Sequence, residues 1–238
     1  MENFYTTLSP LDNRYQKTVN PITKHFSLFN QTKQKALVEV KYFTFLLKHI
    51  QTNSNKDYIK DTELQINNRI NFDVIFKSFI SRVQNICQDD FNKIQEYENK
   101  CHHDIKAIEY WLHDIYDELY KDTEYMKYKE FIHFGLTSQD INHTAFDLCL
   151  KNSIETLQKK NKELLLLLKN KSSEWNTITM LAYTHGQAAV PTNLGKEIDV
   201  FSERLLFNIE YIDNYVPRTK MGGAVGNMNA HYAIYPEI

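Results

Sequence analysis

Apolar residues recur along this chain at the spacing of helices. From Thr32 onward, Leu37, Val40, Tyr42, Phe43, Leu46, Leu47 and Ile50 form one broad stripe. After a polar loop at 51–57 comes a second stripe of Phe72, Ile75, Phe76, Phe79, Ile80, Val83, Ile86 and Cys87. A third helix is predicted from about Asp104 to Leu119, with Ile105, Ile108, Leu112 and Ile115 on one face. Residues 1–30 read as irregular, punctuated by Pro10 and Pro21. The charged, tyrosine-rich stretch from Tyr120 to Lys129 reads as a boundary.

Beyond it, neither glycine nor proline interrupts the chain from Thr137 to Trp175, and Ile141, Leu148, Ile154, Leu157, Leu164 and Leu168 keep a helical period. About 35 residues at 1.5 Å each give a helix of roughly 50 Å. Such a helix suits an elongated bundle or the core of an oligomer. A short non-helical passage follows at 177–190. Pro191 is then predicted in the first turn of a further helix through Leu194, Ile198, Phe201, Leu205 and Ile209. The fold class expected is all-α, with an N-terminal helical domain at 1–125 and a bundle domain at 126–238. The last stretch, from Met221, shows no closing helix, so the bundle reads as incomplete.

Glycine supports this picture. There are six, all at or after Gly135. Glycine in a helix costs roughly 1 kcal/mol relative to alanine, and turn-rich folds need residues that tolerate positive φ. A glycine-free first half therefore points to helices, and the six glycines should mark special backbone. Net charge is -2, which excludes the basic footprint of a nucleic-acid binder. Cys87, Cys101 and Cys149 are odd in number and lack zinc spacing, so a reducing compartment is expected. Met1 to Tyr15 lacks the apolar core of a secretory signal, and the longest leucine run, Leu164 to Leu168, cannot span a bilayer. No membrane partner and a cytoplasmic setting are expected.

Four spots concentrate chemically capable side chains. Asp12-Asn13-Arg14-Tyr15 offers a guanidinium fork for phosphate or carboxylate, or else a plain surface turn. His102-His103-Asp104 stands at a predicted helix start, where two imidazoles could meet an anion or shuttle a proton, or be incidental beside an aspartate near the N-cap. The same doublet would also suit a metal-dependent phosphohydrolase, given further ligands that this sequence does not place. Thr137-Ser138-Gln139-Asp140 fits a capping box, and its hydroxyls and free N–H groups could equally bind a carboxylate. His185 beside Gly186, in a break between long helices, is placed for acid–base work or for a structural bond.

Taken as strings, SPLDNRY (Ser9 to Tyr15), HHDIKAIEYWL (His102 to Leu112), EFIHFGLTSQDIN (Glu130 to Asn142), THGQAAVPTNLGKE (Thr184 to Glu197) and GGAVGNMNAHYAIYPE (Gly222 to Glu237) resemble the fumarase/aspartase superfamily, and within it the adenylosuccinate lyases. They run in family order over nearly the whole chain. The resemblance implies an all-helical tetramer whose sites draw on three subunits and need no metal or organic cofactor. The implied reaction splits adenylosuccinate into AMP and fumarate, and in many members also splits a succinylated aminoimidazole-carboxamide ribotide. It implies His185 as general acid and His103 as the second catalytic histidine, which orients substrate. Thr137 and Ser138 would hold a succinyl carboxylate. Arg14 and Tyr15 would meet the nucleotide phosphate, with His102 and Asp104 lining the same pocket. Another fumarate-releasing lyase of the superfamily is the alternative, against which HDIKAIEY argues.

Two departures stand out. His102 occupies a position where the family usually has asparagine. The family's catalytic serine loop, Ser-Ser-x-Met-Pro-x-Lys-x-Asn-Pro, matches no string in the sequence, which reads as the N-terminal portion of such an enzyme. The 238-residue chain assayed alone should therefore release no fumarate from adenylosuccinate. Ordinary turnover in a fumarate absorbance assay would overturn this.

Overall fold

The computed structural model describes residues 12–53 and 71–236, so part of the polar loop expected at 51–57 lies outside the described residues. Helix α1 (Asp12–Phe26) contains Pro21 in its interior. Residues 12–26 are thus helical where irregular chain was expected. Proline removes one backbone donor, and the helix nevertheless continues, with the Thr23 hydroxyl donating to the Val19 carbonyl at 3.2 Å. After a break at Ser27 runs α2 (Leu28–Asn53). The second stripe is broken into α3 (Phe72–Ile75), capped by Asn71, and α4 (Lys77–Gln84). A helix with no counterpart in the sequence reading follows, α5 (Gln88–Cys101). It stops where His102 turns left-handed, at φ 52°. Then come α6 (Asp104–Tyr120), a 3₁₀ segment (Glu124–Phe131) and the 37-residue α7 (Ser138–Glu174).

Between α7 and α8 (Leu194–Asp213) the chain makes a hairpin of β1 (Thr179–Thr184) and β2 (Gln187–Asn193). The strands pair antiparallel, and Thr184 faces Gln187 across a two-residue turn. The turn residues are His185 and Gly186, at φ 48° and 74°. Two positive φ values in succession define the mirror-image turn that matches the natural twist of a hairpin. Pro191 is accordingly not in a helix but opposite Leu181 in the ladder. Asn193, not proline, begins α8, its side chain accepting from the Lys196 N–H at 2.7 Å. A short α9 (Asn229–Ile234) lies near the chain end, where none was expected.

The chain divides into two compact units, Met1–Cys149 with Arg218–Ile238, and Leu150–Pro217. Residues 126–149 and 218–238, expected with the bundle domain, group with the first unit. The first unit is built on α2, α4 and α6. Phe43 sits edge-on to Phe76, Phe79 and Tyr116, with ring centroids 4.9, 6.0 and 5.7 Å away. Trp111 is fully buried and donates from Nε1 to Asp90 at 3.3 Å. Asp90 is gripped by both terminal nitrogens of Arg82. Burial opposes its charge, but the bonds from Arg82 and Cys87 hold its pKa down at about 2.

The end of the chain is tied into the same unit through His231. Its ring is buried, bonds the Tyr42 hydroxyl through Nε2, and lies edge-on to Phe134 at 5.7 Å. Gly135 has φ 70°, and a Cβ there would come within 2.7 Å of His231 Nε2. Only a residue without a side chain lets the backbone pass this ring. Gly135→Ala should therefore lose about 3 kcal/mol, from left-handed strain plus overpacking. Gly186, also at positive φ, meets nothing within 4 Å, so Gly186→Ala should lose only about 1 kcal/mol. Urea denaturation of both variants tests the contrast, and equal losses would contradict it.

Candidate functional site

The start of α7 is fixed by a buried carboxylate. Asp140 is fully inaccessible. It accepts hydrogen bonds from the N–H groups of Thr137 (2.9 Å), Gly222 (3.2 Å) and Gly223 (3.0 Å), and from Lys220 Nζ (2.9 Å). Burial alone would raise its pKa, but these donors outweigh it and hold the pKa below the usual aspartate value. Sequence reading assigned Asp140 to capping. It does accept from the Thr137 N–H in that role, and it also joins two of the motif blocks, 130–142 and 222–237.

This arrangement leaves the hydroxyls at the helix start uncommitted. Among the described residues, neither Thr137 nor Ser138 makes a side-chain hydrogen bond. Both line a cavity of about 540 Å³ together with His103, Lys106, Glu109 and His133. Three sequence-predicted residues, His103, Thr137 and Ser138, thus share one hollow. His103 caps α6, its Nδ1 accepting from the Lys106 N–H at 3.1 Å. That bond requires Nδ1 unprotonated and places any ring proton on Nε2. His103 is the N-cap itself, and Asp104 stands next to it as the first residue of α6.

A neighbouring cavity of about 430 Å³ is lined by Thr32, Lys35, Glu98, His102, His103 and Asp104. The Asp104 carboxylate is engaged by Lys35 Nζ at 2.7 Å. Burial opposes its charge, and the lysine reverses this, so its pKa lies below the ordinary value. Asp104 is therefore held in place by a cation at one carboxylate oxygen. Arg14 and Tyr15 stand apart from both cavities on the exposed first turns of α1, the guanidinium 5.5 Å from the Tyr15 ring centre. His185 lies in the second unit at the exposed hairpin turn.

Sequence reading missed the pair behind the first cavity. Glu39, from α2, is fully buried. Its Oε1 lies 2.6 Å from His133 Nδ1. His133 holds the left-handed conformation, φ 61°, which is rare without glycine. Burial works against its charged form. The bond and charge of Glu39, with Glu109 behind, prevail, and its pKa lies above the ordinary 6.5. Only the histidine in EFIHFGLTS hinted at it, since its partner is 94 residues distant.

Among the described residues no group of three or more His, Cys, Asp or Glu side chains could hold a metal ion, and no helix is long and apolar enough to cross a membrane.

A family profile described as Lyase matches residues 13–237. An adenylosuccinate lyase of Dictyostelium discoideum is 38% identical over 240 residues, covering 99% of this chain and 48% of that protein. Those of Legionella pneumophila and Escherichia coli are 33% and 32% identical, over 97% and 98% of this chain and 47% and 48% of theirs. The chain thus spans about half the length of the curated relatives it matches. Among solved structures, a fumarate lyase from Mesorhizobium superposes with a TM-score of 0.63 at 15% identity, over 89% of this chain and 44% of that one. A β-carboxy-cis,cis-muconate cycloisomerase from Acinetobacter calcoaceticus gives 0.64 at 17% identity, with the same coverage. The predominantly helical fold is therefore that of the fumarate lyases, and the two-stranded hairpin is a minor part of it.

The Glu39–His133 pair generates a pH prediction. Because the folded pKa of His133 is raised, its contribution to stability is complete below pH 6.5 and is lost as pH rises through the folded value. Glu39→Gln removes the carboxylate charge and leaves burial, so the ring should titrate below its wild-type value. Ring-proton NMR reads this directly, and an unchanged titration would show that Glu39 does not hold the charge.

Proposed function

The chain belongs to the Lyase family over residues 13–237, and from that membership we propose that it is an adenylosuccinate lyase, eliminating fumarate from adenylosuccinate to leave AMP. The succinylated aminoimidazole-carboxamide ribotide is a second substrate on this reading. What supports it most is the hollow that gathers His103, Thr137 and Ser138 at a helix start, together with relatives of that name along the whole chain.

The chemistry accounts for the residue types. A base takes the proton from the carbon next to a succinyl carboxylate. The electron pair left behind forms the C=C bond of fumarate as the C–N bond breaks, and an acid protonates the departing nitrogen. Charge builds on the carboxylate during the first step, so donors aimed there in advance lower the barrier. Thr137 and Ser138 are assigned to that carboxylate, with the first N–H groups of α7. His103 is assigned to orienting the substrate through Nε2, and His185 to protonating nitrogen. Arg14 and Tyr15 are assigned to the phosphate, and His102 to the pocket wall. Asp104, held by Lys35, is assigned to the same wall. The base is not assigned to any residue of this sequence, and no cofactor is invoked.

On this reading the enzyme is a cytoplasmic homotetramer of purine nucleotide synthesis. Leu166, Leu167, Phe207 and Tyr211 of α7 and α8 are more than half exposed, and apolar surface of this kind is what an assembly of helices would cover. A substrate panel on the protein extended to the length of its relatives tests the function. Fumarate should come from adenylosuccinate and not from argininosuccinate or malate, and the reverse preference would sink the reading. His185→Gln should lower kcat by about 10² to 10⁴, and an unchanged kcat would remove His185 from its role.

A further inference from the structure

We propose that Cys101 is a modification site, a thiol that adds across the double bond of fumarate held in the hollow beside Thr137 and Ser138. This deepens the proposed function and rests on its reading of that hollow as the carboxylate site and of fumarate as the product.

Three observations bring a nucleophile to where that product would lie. First, Cys101 lines the same cavity of about 540 Å³ as His103, Lys106, Thr137 and Ser138. Small-molecule sites run from roughly 300 to 1,000 Å³, so the space suits a small dicarboxylate. Second, the thiol is reachable. Cys101 is a free cysteine, partly exposed, at the last position of α5, and its Sγ donates to the His103 carbonyl at 3.3 Å. Third, the hollow holds donors for a carboxylate. Among the described residues the Thr137 and Ser138 side chains make no hydrogen bond. Lys106 lies near enough to Cys101 for their charges to act on one another, and is itself paired with Glu109 at 2.7 Å. The carboxylates on this wall are thus matched by a cation, and an incoming anion meets no surplus negative charge from them.

The step balances without any further reactant. Fumarate is an alkene with a carboxylate on each carbon, and such alkenes accept thiolates, the nucleophilic form of cysteine. Sγ bonds to one alkene carbon. The π pair moves to the other carbon and takes a proton from water, to which the thiol gave its own. The result is a thioether bearing two carboxylates. Nothing is oxidised or reduced, and no group leaves. The adduct fills the hollow with the charges that substrate would bring, so each event closes one site.

Selectivity comes from holding the alkene. Cys87 is the more exposed thiol and Cys149 is buried. The Cys101 thiol donates to a carbonyl, so a freely diffusing electrophile has no reason to prefer it. A dicarboxylate anchored at Thr137 and Ser138 does, because a held reactant is presented at high effective concentration.

The purified 238-residue chain is incubated with fumarate or with dimethyl fumarate, its uncharged diester, and the three cysteines are followed by peptide mass spectrometry. Fumarate should add intact to Cys101 at least about tenfold faster than to Cys87, and the diester should show no such preference. Thr137→Ala combined with Ser138→Ala removes both hydroxyls but keeps the Thr137 N–H that Asp140 accepts from. Its circular dichroism should match the wild type, while fumarate addition at Cys101 falls about tenfold. In the untreated chain succinate should shift the amide NMR signals of Thr137 and Ser138, and in the modified chain it should not. Equal rates at Cys101 and Cys87 with fumarate, or an equal preference for Cys101 with the diester, would overturn the inference. The carboxylate site would still stand if succinate shifts those amides. If succinate leaves them unmoved, the reading of the hollow falls as well.

Discussion

One buried carboxylate organises the first unit. Asp140 is removed from water, and an isolated charge there would be untenable. It is tolerated because three backbone N–H groups and Lys220 converge on it. The donors come from both sides of the site, Thr137 at the start of α7 and Gly222 and Gly223 some eighty residues later. The bond to Thr137 closes the helix end from below. As a result the hydroxyls of Thr137 and Ser138 are not spent on capping and face the hollow. The same interaction that terminates the helix therefore frees the groups that can receive a ligand.

Around this point the protein uses histidine in opposite ways. His231 is buried against Tyr42 and Phe134, and burial pushes its pKa below the ordinary value. It behaves as a neutral packing ring, and Gly135 exists to make room for it. His133, two residues before that glycine, has a carboxylate at its back and its pKa is raised. The residue type is identical and the neighbourhood decides the role. His103 is a third case, since its Nδ1 is used up as a helix cap and only Nε2 is left for chemistry.

Much of this architecture was legible from periodicity. The stripes at 32–50 and 104–119 and the uninterrupted span after Thr137 became α2, α6 and α7. What escaped was governed by other terms. Pro21 was read as a stop, yet α1 runs through it. In α5 only Phe91 and Ile94 are buried apolar positions, too few to stand out as a stripe. Ala188, Ala189 and Val190 suit either a helix or a strand, and Pro191 suits a helix start. The deciding signal was His185-Gly186, whose positive φ values close a hairpin. In the site, the groups were visible as strings but their couplings were not. Glu39 with His133, Lys35 with Asp104, and Asp140 with Gly222 are long-range pairs that local pattern cannot reveal.

The division of labour within the chain follows from the demands of the chemistry. Stabilising a developing carboxylate charge depends on donors that need not reorganise at the moment of reaction. On the proposed reading those donors sit in the first unit, where Asp140, the Glu39–His133 pair and the His231 packing tie the backbone down. Delivering a proton to a leaving nitrogen asks less of rigidity and more of access. The histidine assigned to that step stands on a two-residue turn of an exposed hairpin in the second unit. There the left-handed backbone of His185 and Gly186 fixes where the imidazole leaves the chain, and water or substrate can still reach the ring. On the proposed reading, free hydroxyls on a tied-down backbone and an accessible acid are two different structural solutions, and the sequence commits separate motif blocks to each.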